Sequence, residues 1–250
     1  LFFCTTINYV DRNSLSVLKT TLQGALGWSD VDYGTITTAF TFAYAMFPSV
    51  IGVVIDRVGV KKALAFALIL WSLAAAAHGL VATVLGFAIV RFILGFAEAA
   101  NFPASIKAVG MWFPQKERAF ATGIFNSGTS IGVIVSGGVV WIATQWGWQM
   151  SFVAIGLIGL GWLVFWQAYF ADPEHQPRLG KAELDYIRSD QPVAQQAVKL
   201  PWSTLMRYRE IWPFLIGKLI TDPVWWFYLF WLPSYLDRER GQSALVAGGW

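Results

Sequence analysis

Charge is scarce in this chain. Asp, Glu, Lys and Arg make up 13% of its 250 residues, while 56% are apolar and 16% aromatic; soluble domains carry about 25% charged residues. With a mean hydropathy of +0.52, the composition is that of a membrane protein. Cysteine is nearly absent too. A lone Cys4 closes no intrachain disulfide, and with only His78 and His175 beside it no cluster of soft metal ligands can be written, so neither a metal nor a cofactor is expected. So few polar residues interrupt the apolar runs that no nucleophile, base and orienting acid can be assembled, and enzymatic function is not expected. The net charge of +3 and pI near 9.0 are no nucleic-acid signal, because the basic residues lie between apolar runs rather than along one face.

A helix needs about 20 apolar residues to cross the hydrocarbon core. Candidate spans lie near 1–19, 33–55, 63–83, 84–107, 119–143, 149–171 and 211–236, with an eighth beginning near Ser243. Spans 3 and 4 are separated by almost nothing around Ala82 and Thr83, which predicts a tight helical hairpin. Arg57, Lys61 and Lys62 follow span 2; Lys107, Lys116 and Arg118 follow span 4; Arg178, Lys181, Arg188, Lys199, Arg207 and Arg209 follow span 6. Only Lys19, Arg238 and Arg240 lie in connections on the other side. The positive-inside rule then makes the N-terminus and the loop 172–209 cytoplasmic. That loop, polar and carrying Pro173, Pro177, Pro192 and Pro201, divides a six-helix bundle (1–171) from the start of a second bundle (210–250). Six spans, a long connection and a further set is the layout of a transporter whose halves are repeats, each built from two three-span units. The chain begins and ends abruptly, at Leu1 within an apolar run and at Trp250 after Gly248 and Gly249, and is expected to be the N-terminal part of a longer protein.

Charges inside apolar runs cost a few kcal/mol or more on insertion scales and call for a partner or a function. Here they are Asp11, Arg12, Arg91, Glu98, Lys218 and Asp222. Arg91 and Glu98 are two helical turns apart, about 10 Å along one face, which lets both look into one cavity at different depths. Asp11 and Arg12 are adjacent in span 1, with Asn8 a turn earlier. One acid and one base from each of two helices can hold a carboxylate on the arginines and a proton on the acids. An anion that takes over a guanidinium leaves its carboxylate partner free to bind a proton, so substrate and proton favour each other. The alternative is two structural ion pairs neutralising each other inside the bundle.

The stretch Gly52-Val53-Val54-Ile55-Asp56-Arg57-Val58-Gly59-Val60-Lys61-Lys62 resembles the signature loop of the major facilitator superfamily at every position that defines it. Gly52 and Gly59 allow a tight reversal and close backbone approach, Asp56 can sit at a helix N-terminus, and Arg57, Lys61 and Lys62 can pair with acids in headgroup water, as in a cytoplasmic gate latch. Further motifs are Ile7-Asn8-Tyr9-Val10-Asp11-Arg12, Arg91-Phe92 with Gly95, Glu98-Ala99-Ala100-Asn101-Phe102-Pro103, Trp112-Phe113-Pro114 with Glu117-Arg118, and Asn126-Ser127-Gly128. Through essentially its whole length the chain is similar to the anion:cation symporters, which include hexuronate, galactonate and glucarate carriers and the animal sialic acid and vesicular glutamate carriers. Span 7, with Gly217-Lys218 and Thr221-Asp222-Pro223-Val224-Trp225-Trp226-Phe227-Tyr228, looks most like the bacterial hexuronate branch.

That resemblance implies an all-α major facilitator fold in the bacterial inner membrane, functional as a monomer of the full-length chain, with a small organic anion and protons as its partners. It implies that Asp11 and Glu98 take protons, that Arg12 and Arg91 hold the substrate carboxylate, and that Tyr44 and Thr129 line the sugar-acid site. Asn8, Lys218 and Trp226 complete the candidate binding set. Thr129 departs from the glutamine of some galactonate carriers, and Gly132-Val133 replaces the Gly-Pro pair of the antiporter signature. The expected function is proton-coupled symport of a hexuronate or aldonate. Alternatives are exchange or uniport of another organic anion such as tartrate or phthalate, or a seven-helix sensor. Gly128 and Gly132 are read as a packing step, and Pro103 and Pro223 as bends used in rocking. Lys218 and Asp222 either satisfy each other at i, i+4 or meet substrate. Trp225, Trp226 and Tyr228 read as lipid or interface aromatics, with sugar stacking as the alternative, and His78 as an interfacial side chain.

Overall fold

The structure, a computed structural model, describes residues 1–190, 204 and 206–241, and the expected onset of an eighth span near Ser243 lies outside them. The described residues form helices and turns with no strand: α1 (Phe2–Val17), α2 (Lys19–Leu26), α3 (Asp30–Met46), α4 (Pro48–Val58), α5 (Val60–Ala77), α6 (Val84–Glu98), α7 (Asn101–Trp112), α8 (Arg118–Val135), α9 (Gly137–Trp146), α10 (Trp148–Tyr169), α11 (Lys181–Arg188) and α12 (Ile211–Arg240). Four continuous stretches are long and apolar enough to cross a membrane: Val60–Leu80, Val84–Trp112, Gln115–Trp146 and Trp148–Tyr169. A fifth span is the pair α3 and α4, bent by 49°. Pro48 opens α4 there, and its missing N–H interrupts the hydrogen-bond ladder.

Local chemistry sets the boundaries. Ser29 caps α3 in a reciprocal box with Asp32, and the Thr83 hydroxyl accepts from Gly86 N–H to start α6. The α5–α6 connection is a short 3-10 turn, His78–Leu80, followed by three residues. Gly59 sits at φ +84° between α4 and α5, a backbone conformation that glycine alone adopts at little cost.

The spans expected from the sequence correspond to α1–α2, α3–α4, α5, α6–α7, α8–α9 and α10 for spans 1 to 6 and to α12 for span 7. The dominant packing joins α1 to α8, α3 to α6 and α5 to α10. Exchanging spans 1–3 with spans 4–6 maps the first contact onto the second and leaves the third unchanged. This is the pairing that two repeated three-span units produce. Gly128 and Gly132 permit the first: a Cβ at Gly132 would stand 2.6 Å from Tyr9 Cβ and 2.7 Å from the Thr6 carbonyl oxygen. The core is split between a cluster around Trp71, Leu68 and Leu94 and another around Phe87, Phe152 and Leu18.

His78 belongs to that second core and not to an interface: it is fully buried, stacked on Phe152 at 5.0 Å, with Nδ1 2.8 Å from the Ala74 carbonyl.

α12 packs back against α1 near the end of the bundle where α2 meets α3. Pro233 has no N–H to give the Leu229 carbonyl. Ser16 Oγ donates to that oxygen at 2.8 Å, and the Tyr33 hydroxyl donates to the Phe230 carbonyl at 2.8 Å. Lys19, only 2% exposed, pairs with Asp30 at 2.8 Å, donates to Ser234 and lies 4.1 Å from the Trp231 ring centroid. Thr20–Asp237 and Arg238–Asp30 complete the joint.

Candidate functional site

A cavity of about 870 Å³ lies between α12 and the first bundle, away from this joint. Its wall includes Arg12, Tyr44, Thr129, Lys218 and Trp226, five residues of the expected binding set, brought together from four helices. Arg12 dominates one side. Its Nε and Nη2 donate to Glu98 Oε2 at 3.1 and 2.9 Å, and Nη2 also donates to Asn8 Oδ1 at 3.0 Å. The guanidinium is caged by Tyr44, Tyr9, Trp226 and Phe40, with ring centroids 4.3, 4.7, 5.3 and 5.5 Å from Cζ. A desolvated cation over aromatic faces gains about 2 kcal/mol or more. The cage leaves only 1% of Arg12 exposed, so an incoming anion must move a ring to reach it.

Asn8, Asp11, Arg91 and Glu98 stand behind this wall, all 1% exposed or less. Arg91 and Glu98 therefore do not share the cavity at two depths: Glu98 backs onto Arg12, and Arg91 lies away from the wall, 5.8 Å from the Phe40 ring centroid. Among the described residues neither Asp11 oxygen accepts a hydrogen bond, and Arg91 Nε and Nη2 donate none. A buried charge without a partner is expensive, and a carboxyl escapes that cost by holding a proton.

On the opposite wall, Lys218 and Asp222 pair at 2.7 Å and both face the cavity. Trp225, Trp226 and Tyr228 line it as well, the placement that the sugar-stacking alternative requires. Tyr9, Thr41 and Asn126 also line it and were not singled out as binding residues; the motifs containing Tyr9 and Asn126 were the available signal. Among the described residues no group of three or more His, Cys, Asp and Glu is placed to hold a metal ion.

The latch residues are arranged differently from expectation. Asp56 lies in the last turn of α4, not at a helix N-terminus, because α4 continues to Val58 before Gly59 turns the chain. Its carboxylate pairs with Lys107 of α7 at 2.7 Å, and Lys107 also reaches the Ile55 carbonyl at 3.3 Å. Gly52 is inside α4 with open space where a Cβ would be, so it makes no close approach. The Lys61 carbonyl accepts the Trp166 indole N–H at 3.1 Å, while Arg57, Lys61 and Lys62 lie around the α4–α5 turn.

Membrane-length helices in a two-unit repeat, with intramembrane charges beside one cavity, define a carrier fold. The chain belongs to the Major Facilitator Superfamily, whose family model matches residues 1–250. It is 34% identical over 241 residues to a galacturonate transporter of Dickeya chrysanthemi, covering 95% of this chain and 70% of that protein. It is 33% identical over 241 residues to the hexuronate transporter of Escherichia coli K12, covering 95% of this chain and 56% of that one. In structure it resembles a bacterial homologue of the human lysosomal transporter Spinster in an inward-facing, unoccupied conformation. That match has a TM-score of 0.77 at 19% identity, over 99% of this chain and 56% of that one. The chain thus spans between about half and 70% of the proteins it matches.

Proposed function

We propose that the full-length protein is a secondary active transporter that carries a hexuronate or aldonate across the bacterial inner membrane together with protons. The observation that carries this reading is the Arg12–Glu98 pair: a cation on the cavity wall whose acid partner is sealed behind it. Breaking a buried pair leaves a costly unpaired charge. When a substrate carboxylate takes Arg12, Glu98 relieves that cost by binding a proton, and release of either ligand favours release of the other. Asp11, whose buried carboxyl oxygens accept no hydrogen bond among the described residues, is the second proton site, with Arg91 as its nearby cation. Asn8, Tyr44, Thr129, Lys218 and Trp226 complete the binding set. The loop from Gly52 through Asp56, Arg57, Gly59, Lys61 and Lys62 acts as a latch against Lys107.

In this reading the N-terminus and the loop 172–209 are cytoplasmic, residues 1–171 form the first bundle, the chain from 210 begins the second, and one full-length chain is the functional unit. The test is uptake of labelled glucuronate and galacturonate by vesicles holding the full-length protein, with and without an inward proton gradient. Uptake should follow the gradient. Glu98→Gln should lose gradient-driven accumulation while retaining exchange, and a variant that still accumulates would remove Glu98 from the coupling step.

A further inference from the structure

Lys218, Asp222 and Trp225 lie at i, i+4 and i+7 on α12, which places them on one stripe of the helix, and all three line the cavity. The rings around them are already engaged. Trp226 stacks on Phe230 and meets Tyr44 edge-on, and it helps to cage Arg12. Trp225 makes no ring or cation contact among the described residues and is 52% exposed. Among the described residues, the cavity wall thus presents an indole with no ring or cation contact, beside a carboxylate and an ammonium 2.7 Å apart. Charges in a membrane-spanning helix are costly enough to imply a function by default. A helix-stabilising pair alone would not need to point into a cavity.

A pyranose ring fits this combination. One face of the ring is a patch of C–H groups, which an aromatic face covers without losing any hydrogen bond. Its edge carries adjacent hydroxyls that donate to a carboxylate and accept from an ammonium, and such sparse polar groups fix orientation in an otherwise apolar pocket. An open-chain polyol acid presents no flat face to an indole. We infer that the Lys218–Asp222–Trp225 stripe is a sugar-ring subsite that selects ring-form hexuronates over open-chain aldonates, while Arg12 takes the carboxylate.

This rests on the sugar-acid reading above and is tested separately from it. Calorimetric titration of the full-length protein with galacturonate, a ring-form hexuronate, and with galactonate, an open-chain aldonate, measures the selectivity directly. Wild type should bind galacturonate more tightly. Trp225→Ala should lower galacturonate affinity about tenfold more than galactonate affinity, and Trp225→Phe, which keeps a flat face, should restore most of the difference. Asp222→Asn should narrow the same ratio, since an amide offers one acceptor oxygen in place of two. If galactonate binds more tightly to wild type, or if all three variants leave the ratio unchanged, the ring subsite is wrong while the sugar-acid reading stands. If wild type binds neither acid, both fall.

Discussion

Arg12 satisfies two acceptors at once, Glu98 and Asn8, through a planar fork that a lysine cannot reproduce. Arg12→Lys keeps the charge, yet a single ammonium cannot span both partners and still present a face to Tyr44 and Tyr9. Substrate affinity in the full-length protein should therefore fall about tenfold or more, read by calorimetry with galacturonate; an unchanged affinity would show that charge alone suffices. The four charges Asp11, Arg12, Arg91 and Glu98 were legible in the sequence because an ionisable residue in an apolar run stands out. Which acid pairs with which base was not legible, since the Arg12–Glu98 contact joins residues 86 positions apart. Of the aromatic cage, Tyr44 and Trp226 were in the expected binding set through the family resemblance, whereas Tyr9 and Phe40 look in sequence like any other aromatic in an apolar run. His78 read as an interfacial side chain but is buried in the core, and for Trp225, Trp226 and Tyr228, which line the cavity, sugar stacking was only the alternative to a lipid or interface role.

At the scale of elements, helix α8 separates glycines that packing requires from one that it does not. A methyl at Gly132 would meet Tyr9 and the Thr6 carbonyl at under 3 Å, whereas nothing lies within 4 Å of one at Gly123. Gly132→Ala should lower stability by about 1–3 kcal/mol, and Gly123→Ala should raise it by about 0.5–1 kcal/mol by removing backbone freedom from a helix interior. Thermal unfolding of the two proteins in detergent distinguishes them, and equal shifts would contradict the α1–α8 contact. The GxxxG spacing announced this packing. Docking of α11 was not announced: Asp190 accepts the backbone N–H groups of Gln115 and Lys116 at 2.7 and 3.2 Å, and the Tyr186 hydroxyl contacts Glu117 at 2.5 Å. Those N–H donors hold the Asp190 carboxyl below its ordinary value of 3.8. A lowered folded-state value stabilises the docked form above pH 3.8 and loses that stabilisation as pH falls through the lowered value. Protection of the 181–190 amides against hydrogen exchange, taken relative to the intrinsic rate at each pH, should thus hold from neutral pH to about pH 4 and fall in stronger acid. Asp190→Asn should be less protected than wild type above about pH 4, with the difference vanishing in stronger acid.

Across the whole molecule, the joint around Pro233 and the cavity are at different levels of the same α1–α12 contact. Ser16 and Tyr33 take the carbonyls that the proline leaves or loosens, and Lys19 is packed between Asp30 and the Trp231 face. The joint lies at one level of this contact, and Lys218 and Trp225 line the cavity further along α12. A carrier that presents its site alternately to two sides must break this joint in each cycle. α12 is continuous through both Pro223, read in the sequence as a bend, and Pro233, and the proline with partners across the contact is Pro233. Pro233→Ala supplies the missing N–H, so the Leu229 carbonyl no longer needs Ser16, and the joint should open more often. A cysteine at Ser234, which is 5% exposed and leaves the Ser16 hydroxyl in place, should then react with a membrane-impermeant thiol reagent several-fold faster in the Pro233→Ala background than with proline present. Conversely, cross-linking Thr20→Cys to Asp237→Cys with a short bifunctional reagent should lock the joint and stop uptake without abolishing substrate binding. Continued uptake in the cross-linked protein would mean that this contact is not broken during transport.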